Sequence, residues 1–147
     1  MLFGEDRKEY RKIFFDAWRK FTTQQPLEPV EKQLVEIIKK HPEYQTILSQ
    51  PEKYSDKEYL PELGETNPFL HLSLHQAVLD QVRINLPQGI RKLYQELIIR
   101  FGDSHEAEHC MMNSLAIGLY DSQSSSLPFD NQTYLQRIKK ALQDGYW

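Results

Sequence analysis

Four of the five histidines lie in two pairs with His-x-x-x-His spacing, His71/His75 and His105/His109. A separation of four residues places both members of a pair on the same face of an α-helix. Neutral imidazole nitrogens are good ligands for transition metals, and such a pair can offer two nitrogens to one ion. The spacing therefore predicts a metal site formed by all four histidines, with zinc or iron as the expected ion.

Acidic residues lie close in sequence to both pairs, and no Lys or Arg occurs between residues 101 and 136. This local charge suits a cation. Glu65 is predicted to act as a further metal ligand. Glu106 and Glu108 are predicted as proton acceptors for a water molecule that the ion activates. Glu62 and Asp103 are also near the predicted site and could orient the imidazole rings.

The segment from His105 to His109 also resembles the His-Glu-x-x-His signature of zinc metalloproteases, in which Glu106 would be the general base. The glycine-and-histidine continuation of one large protease branch is absent after His109, and no strand is predicted that could hold a peptide. Glu106 and His109 also match the Glu-x-x-His element of di-iron bundles, but Pro68 stands where a second such Glu would precede His71. A metal-dependent hydrolase is therefore favoured over an oxidoreductase, and a protease is disfavoured.

Two function classes stay open at this stage. The first is a metalloprotein whose ion is either catalytic, with one position open to water, or structural, with all positions closed. The second is a non-enzymatic helical interaction module, in which the same histidines and glutamates form a metal-free polar network. In that module the tyrosine-rich loop 51–67 or the basic helix over 7–20 would bind another protein.

The elements that carry these residues are predicted to be helices, because apolar residues recur at three- and four-residue spacing along most of the chain. The fold class is all-α, a compact single domain over 1–147 with about six or seven helices. After an N-terminal helix through 10–21 and a second from Pro29 to just before His41, the predicted helices span about 68–85, 90–101, 104–120 and 131–143. Asn67 and Asp103 are the expected N-caps, and Gly102 the expected C-cap.

Two connecting segments interrupt this pattern. Residues 51–67 contain two prolines and a glycine without a sustained period, which predicts a long loop, either functional or simply packed on the surface. Residues 122–131 are predicted to be a polar linker. A short turn is expected after His41. His41 itself is expected to be a surface or capping residue, and the alternative is that its ring reaches the metal site.

Topology supports one shared site. Short connections on both sides of the helix over 90–101 make its two neighbours parallel to each other. His71 and His105 each fall in the first turn of one of these neighbours, and both pairs continue inward-facing apolar stripes. The four imidazoles are therefore expected to converge at one end of the bundle.

The composition excludes several function classes. The 147 residues are 39% hydrophobic with a net charge of −3, which is typical of a globular chain and of neither a disordered nor a nucleic-acid-coating one. No apolar run approaches ~20 residues, and the N-terminus lacks the order of a signal peptide. Cys110 is the only cysteine, as expected in a reducing compartment. We expect a cytoplasmic protein whose partner is a small molecule or a protein, without nucleic acid or membrane.

Four further segments carry a distinctive pattern, namely Pro26-Leu27-Glu28-Pro29, His41-Pro42-Glu43-Tyr44, Gly64-Glu65-Thr66-Asn67-Pro68-Phe69-Leu70-His71 and His105-x-x-x-His109-x-Met111-Met112. Together these segments resemble one bacterial family, the domain-of-unknown-function family number 1841. The resemblance runs along nearly the whole chain. It implies a small bacterial cytosolic protein but brings no activity, cofactor or partner with it.

Overall fold

The structure is a computed structural model that describes residues 3–60 and 63–145, with side chains from residue 6 onward. Within these ranges the chain forms eight α-helices and no strand, which confirms the all-α prediction. None of the described helices is both long and apolar enough to cross a lipid bilayer. The helices are α1 (Phe3–Thr22), α2 (Pro29–Lys39), α3 (Pro42–Leu48), α4 (Pro51–Tyr54), α5 (Pro68–Ile84), α6 (Ile90–Phe101), α7 (Ser104–Ser125) and α8 (Asn131–Asp144).

The additional helices come from the region after α2. The predicted turn after His41 is the seven-residue helix α3, and the first four residues of the predicted loop 51–67 form α4. Each begins with a proline at its first helical position, where the missing N–H costs no hydrogen bond and the fixed φ suits a helix. The prediction of a loop was therefore wrong for residues 51–54.

The predicted polar linker 122–131 is also shorter in the structure, because α7 continues to Ser125. The Ser125 hydroxyl donates to the carbonyl of Asp121 at 2.7 Å. This bond satisfies a carbonyl near the helix end, where intrahelical partners run out. Asp130 then caps α8, since its side chain accepts from the backbone N–H of Gln132 at 3.1 Å. The prediction of a linker was therefore wrong for residues 122–125, whereas α8 begins at Asn131 as predicted.

Contacts divide the chain into two compact units, Met1–Ser73 and Leu74–Trp147. The boundary falls within α5, which begins in the first unit and ends in the second. Asn67 caps this helix as predicted, because its Oδ1 accepts from the backbone N–H of Phe69 at 2.9 Å and of Leu70 at 3.2 Å. The single domain over 1–147 stays a prediction.

In the first unit, α1, α2 and α3 pack around an apolar core. The periodic positions of α1 and α2 supply most of it, as their spacing predicts. Each of these side chains is at most 7% exposed, so the core is closed to solvent. Its main members are Phe14, Ala17, Trp18, Leu34, Ile37, Ile38, Leu48 and Phe69.

In the second unit, α6, α7 and α8 pack with the later turns of α5. The core contains Val78, Leu97, Met111, Tyr134 and Ile138, all fully buried. The connection between α6 and α7 is only two residues long. Gly102 ends α6 in the left-handed conformation at φ 77°, and Asp103 then caps α7 by accepting from the N–H of Glu106 at 3.1 Å. This tight junction fixes where the first turn of α7 begins.

Arg11 is a buried cation in the first unit, with 3% of its surface exposed. Its Nη1 donates to the carbonyls of Tyr54 at 3.0 Å and Lys57 at 2.8 Å. The guanidinium carbon also lies 4.5 Å from the centre of the Phe69 ring, in cation–π geometry. Arg11 thus joins α1 to the segment after α4.

We expect Arg11→Ala to destabilise the chain by about 3 kcal/mol, because hydrogen bonds from a charged donor contribute about 1.5–3 kcal/mol each and the carbonyls would lose their partner. Urea unfolding followed by far-UV circular dichroism would measure the change. The matched control is Lys8→Ala, an exposed cation of the same helix, which should change stability by less than about 0.5 kcal/mol. Equal midpoints for both variants would contradict this role for Arg11.

Candidate metal centre

Three histidines come together in the second unit. His105 and His109 lie one turn apart at the start of α7, immediately after the Asp103 cap, and His75 lies on α5. The ring centres of His105 and His109 are 4.1 Å apart. The ring centre of His75 lies 5.3 Å from that of His105 and 5.5 Å from that of His109. One histidine of the first predicted pair and both histidines of the second therefore lie next to one another.

Each of these rings offers a nitrogen, and the nitrogens lie within 4.8 Å of one another. Histidine nitrogens bind zinc at about 2.0–2.1 Å, so two ligands of one ion are at most about 4.2 Å apart. Small side-chain rotations would bring the three nitrogens to this separation. The arrangement could hold a metal ion.

A buried carboxylate adjoins the three rings. Glu108 is 2% exposed. Its Oε1 lies 2.5 Å from Nε2 of His75, and its Oε2 accepts from the hydroxyl of Tyr94 at 2.6 Å. An ionised carboxylate can only accept, so Nε2 of His75 carries the proton and Nδ1 carries the lone pair. Glu108 therefore fixes the tautomer of His75.

Tyr94 holds the other oxygen of Glu108 from α6. Burial, together with the hydrogen bond and the negative charge of Glu108, raises the pKa of the Tyr94 phenol well above its ordinary value. The phenol consequently stays protonated and donates at neutral pH. Three helices, α5, α6 and α7, thus supply the His75–Glu108–Tyr94 chain of hydrogen bonds.

The sequence pattern of the family described as "Domain of unknown function (DUF1841)" matches residues 6–140. This chain belongs to the DUF1841 family. The match includes all five histidines, Tyr94 and Glu108, and it confirms the resemblance found in the sequence. No curated protein and no solved structure matches the chain.

The other predicted site residues of this DUF1841 chain have different surroundings. Glu106 is exposed on α7. Glu65, in the first unit, accepts from the backbone N–H of Leu60 at 2.8 Å. Asp103 serves as the α7 cap, and Glu62 lies outside the described residues. The roles of Glu65 as a ligand and of Glu106 and Glu108 as proton acceptors stay predictions.

His71, the remaining predicted ligand, contacts His41 within the first unit. Their Nε2 atoms are 3.1 Å apart. His41 is only 1% exposed, so the expectation that it lies at the surface was wrong, although it does occupy the residue before α3. The physical reason is that Nδ1 of His41 finds a backbone partner, the carbonyl of Ile37 at 2.8 Å, which offsets the cost of burying a polar ring.

Cys110 follows His109 but does not share its surroundings. The thiol is fully buried in the core of the second unit with Ala107 and Met111. Burial raises the pKa of the Cys110 thiol to about 11. Cys110 therefore behaves as a small apolar residue rather than as a thiolate ligand.

Sequence reasoning missed Tyr94 and the burial of His41. Tyr94 falls on the apolar stripe of α6, where a tyrosine looks like any other core residue. A usable signal was that a buried tyrosine hydroxyl requires a partner, and Glu108 is a core-facing acid on the next helix. The burial of His41 was missed because the next residue, Pro42, indicated only the start of a helix.

Proposed function

We propose that this DUF1841 chain binds a transition metal ion through His75, His105 and His109. The observation that carries the proposal is the convergence of three imidazoles beside a buried carboxylate that accepts from one of them. A histidine ligand that donates its second N–H to a carboxylate is a recurrent arrangement in metal sites, because the carboxylate fixes the tautomer and raises the basicity of the ligand. Zinc and iron are the ions that we expect first.

The charge of the site supports a cation. Neutral imidazoles contribute no charge, and the ionised Glu108 contributes one negative charge with little solvent around it. Its two hydrogen bonds stabilise the carboxylate, and a bound cation would compensate its charge further.

Three protein ligands with a further position open to water is the usual arrangement of a catalytic zinc site, whereas structural sites are closed by four. We therefore infer a metal-dependent reaction on a small molecule, with hydrolysis first among the candidates. A bound ion supplies an activated water or polarises a substrate oxygen. Glu108 already accepts two hydrogen bonds, so its part in this reaction is to orient His75. Glu106 directly follows His105 in sequence and is exposed, so it is the carboxylate that could accept a proton.

The direct test is metal analysis of untagged protein purified without chelator, together with reconstitution of chelator-treated protein by zinc, ferrous iron or nickel. We expect at least one tightly bound ion per chain. Removing it with a chelator should lower the unfolding temperature, because an ion that binds only the folded chain stabilises it.

A protein without bound metal, whose unfolding temperature none of these ions raises, would overturn the proposal. The non-enzymatic interaction module, with a metal-free histidine and glutamate network, would then be the better account. Its partner would be another protein.

A further inference from the structure

A cavity of about 520 Å³ lies within the first unit, where α1 meets the junction of α3 and α4. Most of its lining residues from α1 share one helix face, because they recur at spacings of four and three residues. They are Lys8, Lys12, Phe15, Arg19 and Thr22. The remaining wall comes from the segment between Leu48 and Ser55. Binding sites for small molecules usually have volumes of about 300–1,000 Å³, so this cavity can hold a small organic molecule.

The inner lining of the cavity is apolar and largely aromatic. Phe15, Trp18 and Leu48 all line it, and all three belong to the buried core of the first unit. Aromatic rings offer a large flat apolar surface and pack well against other rings in offset or edge-on geometry. This part of the cavity therefore suits the ring of an aromatic ligand.

The wall after α3 is held in place without a ligand. Buried Arg11 binds the carbonyls of Tyr54 and Lys57, which lie on either side of the lining residue Ser55. The Ser55 hydroxyl in turn donates to the carbonyl of Pro51 at 2.5 Å. A preformed wall needs little ordering when a ligand binds, so less of the interaction free energy is lost.

The rim of the cavity carries more positive than negative charge. Lys8, Lys12 and Arg19 line it, and Asp16 is the one acid among the described residues that do so. Nζ of Lys12 lies 2.6 Å from the carboxylate of Asp16, and Nη2 of Arg19 lies 3.7 Å from it. One carboxylate therefore serves two cations, while Lys8 adds a further positive charge. Because the whole chain has a net charge of −3, this rim is a local feature, and it is complementary to an anion.

We propose that this cavity binds a small aromatic carboxylate, with its ring against Phe15 and Trp18 and its carboxylate beside Lys8 and Lys12. The inference goes beyond the proposed metal function and does not depend on it, since no histidine lines the cavity among the described residues. A neutral aromatic molecule would gain nothing from the cations. A small inorganic anion would bury no apolar surface against the rings.

The test is equilibrium dialysis of the full chain against 2-naphthoate, beside the neutral 2-naphthamide of nearly the same shape. We expect one naphthoate per chain, and binding of the amide that is weaker by about 10-fold. Lys8→Gln/Lys12→Gln should weaken naphthoate binding by about 10-fold as well, because each partly exposed ion pair contributes a factor of up to about five. The matched control, Lys32→Gln/Lys139→Gln, removes the same charge from exposed positions outside the cavity and should bind naphthoate like the parent.

Ser49→Phe tests the location, because it adds a ring at an exposed position of the lining and should prevent binding of both molecules. Far-UV circular dichroism would establish that the variants are folded. Absence of naphthoate binding by the parent, equal binding of naphthoate and naphthamide, equal binding by the two double-lysine variants, or unchanged binding by folded Ser49→Phe would each overturn the proposal.

The metal centre needs its own control, since a carboxylate can also bind an ion. His105→Ala/His109→Ala should bind naphthoate like the parent, and loss of binding in this variant would overturn the cavity as the site. The proposed metal function fails by a different result, namely an ion count that does not change when His75, His105 or His109 is replaced.

Discussion

His105→Ala/His109→Ala should lose one bound metal ion per chain, because it removes two of the three nitrogens of the proposed centre while His75 alone remains. One imidazole cannot hold an ion against water and buffer at micromolar concentrations. Metal analysis after dialysis would measure the loss directly. The variant should also lose the stabilisation that this ion provides, about 2.7 kcal/mol at a free ion concentration of about 100 times the Kd.

For a chain of this length, that free energy corresponds to a shift of about 5–10 °C in the unfolding temperature. The half-buried side chains of His105 and His109 make little contribution to the core, so the metal-free variant should unfold close to the metal-free parent. Asn113→Ala is the control, because this exposed residue lies one turn beyond His109 on α7. Asn113→Ala should still bind the ion, and the ion should raise its unfolding temperature by the same amount as in the parent. A double variant that binds as many ions as Asn113→Ala would contradict the centre.

Glu108→Ala should weaken metal binding by about 10- to 100-fold, the usual effect of removing a carboxylate that orients a histidine ligand. The same substitution should destabilise the metal-free chain, because the Tyr94 hydroxyl and the His75 Nε2–H would both lose their acceptor. A buried donor without a partner costs about 1–3 kcal/mol, so a total loss of about 2–5 kcal/mol is expected. Competition with a chromophoric chelator would measure the affinity, and urea unfolding the stability.

Three further variants separate the roles of the carboxylate. Glu106→Gln is the matched control, an exposed acid two residues away on the same helix, and should leave both quantities unchanged. Glu108→Gln keeps the shape but places an amide donor opposite one of the two donors, so its effects should be intermediate. Tyr94→Phe should weaken binding less than Glu108→Ala, since His75 would keep its acceptor. If Glu106→Gln weakened binding as strongly as Glu108→Ala, the orienting role of Glu108 would be wrong.

Much of the local structure could be predicted because it depends on neighbours in sequence. Asn67-Pro68 starts α5, and Gly102-Asp103 ends α6 and caps α7, as expected from the φ preferences of proline and glycine and from the acceptors that Asn and Asp offer to free N–H groups. Apolar periodicity likewise predicted α2 and α8 to within about a residue or two. The extra helices α3 and α4 were missed because four to seven residues are too few to establish a helical period.

The sequence by itself determined that His105 and His109 share one helix face, since a spacing of four residues is close to one helical turn. Only the tertiary structure decided what each histidine meets. His71 and His75 also share a face, but four residues displace them by about 6 Å along the axis. Over that distance the neighbours change, and His71 contacts His41 in the first unit while His75 contacts Glu108, His105 and His109 in the second. Periodicity records the angle of a side chain around its helix, whereas its partners depend on how helices distant in sequence pack together.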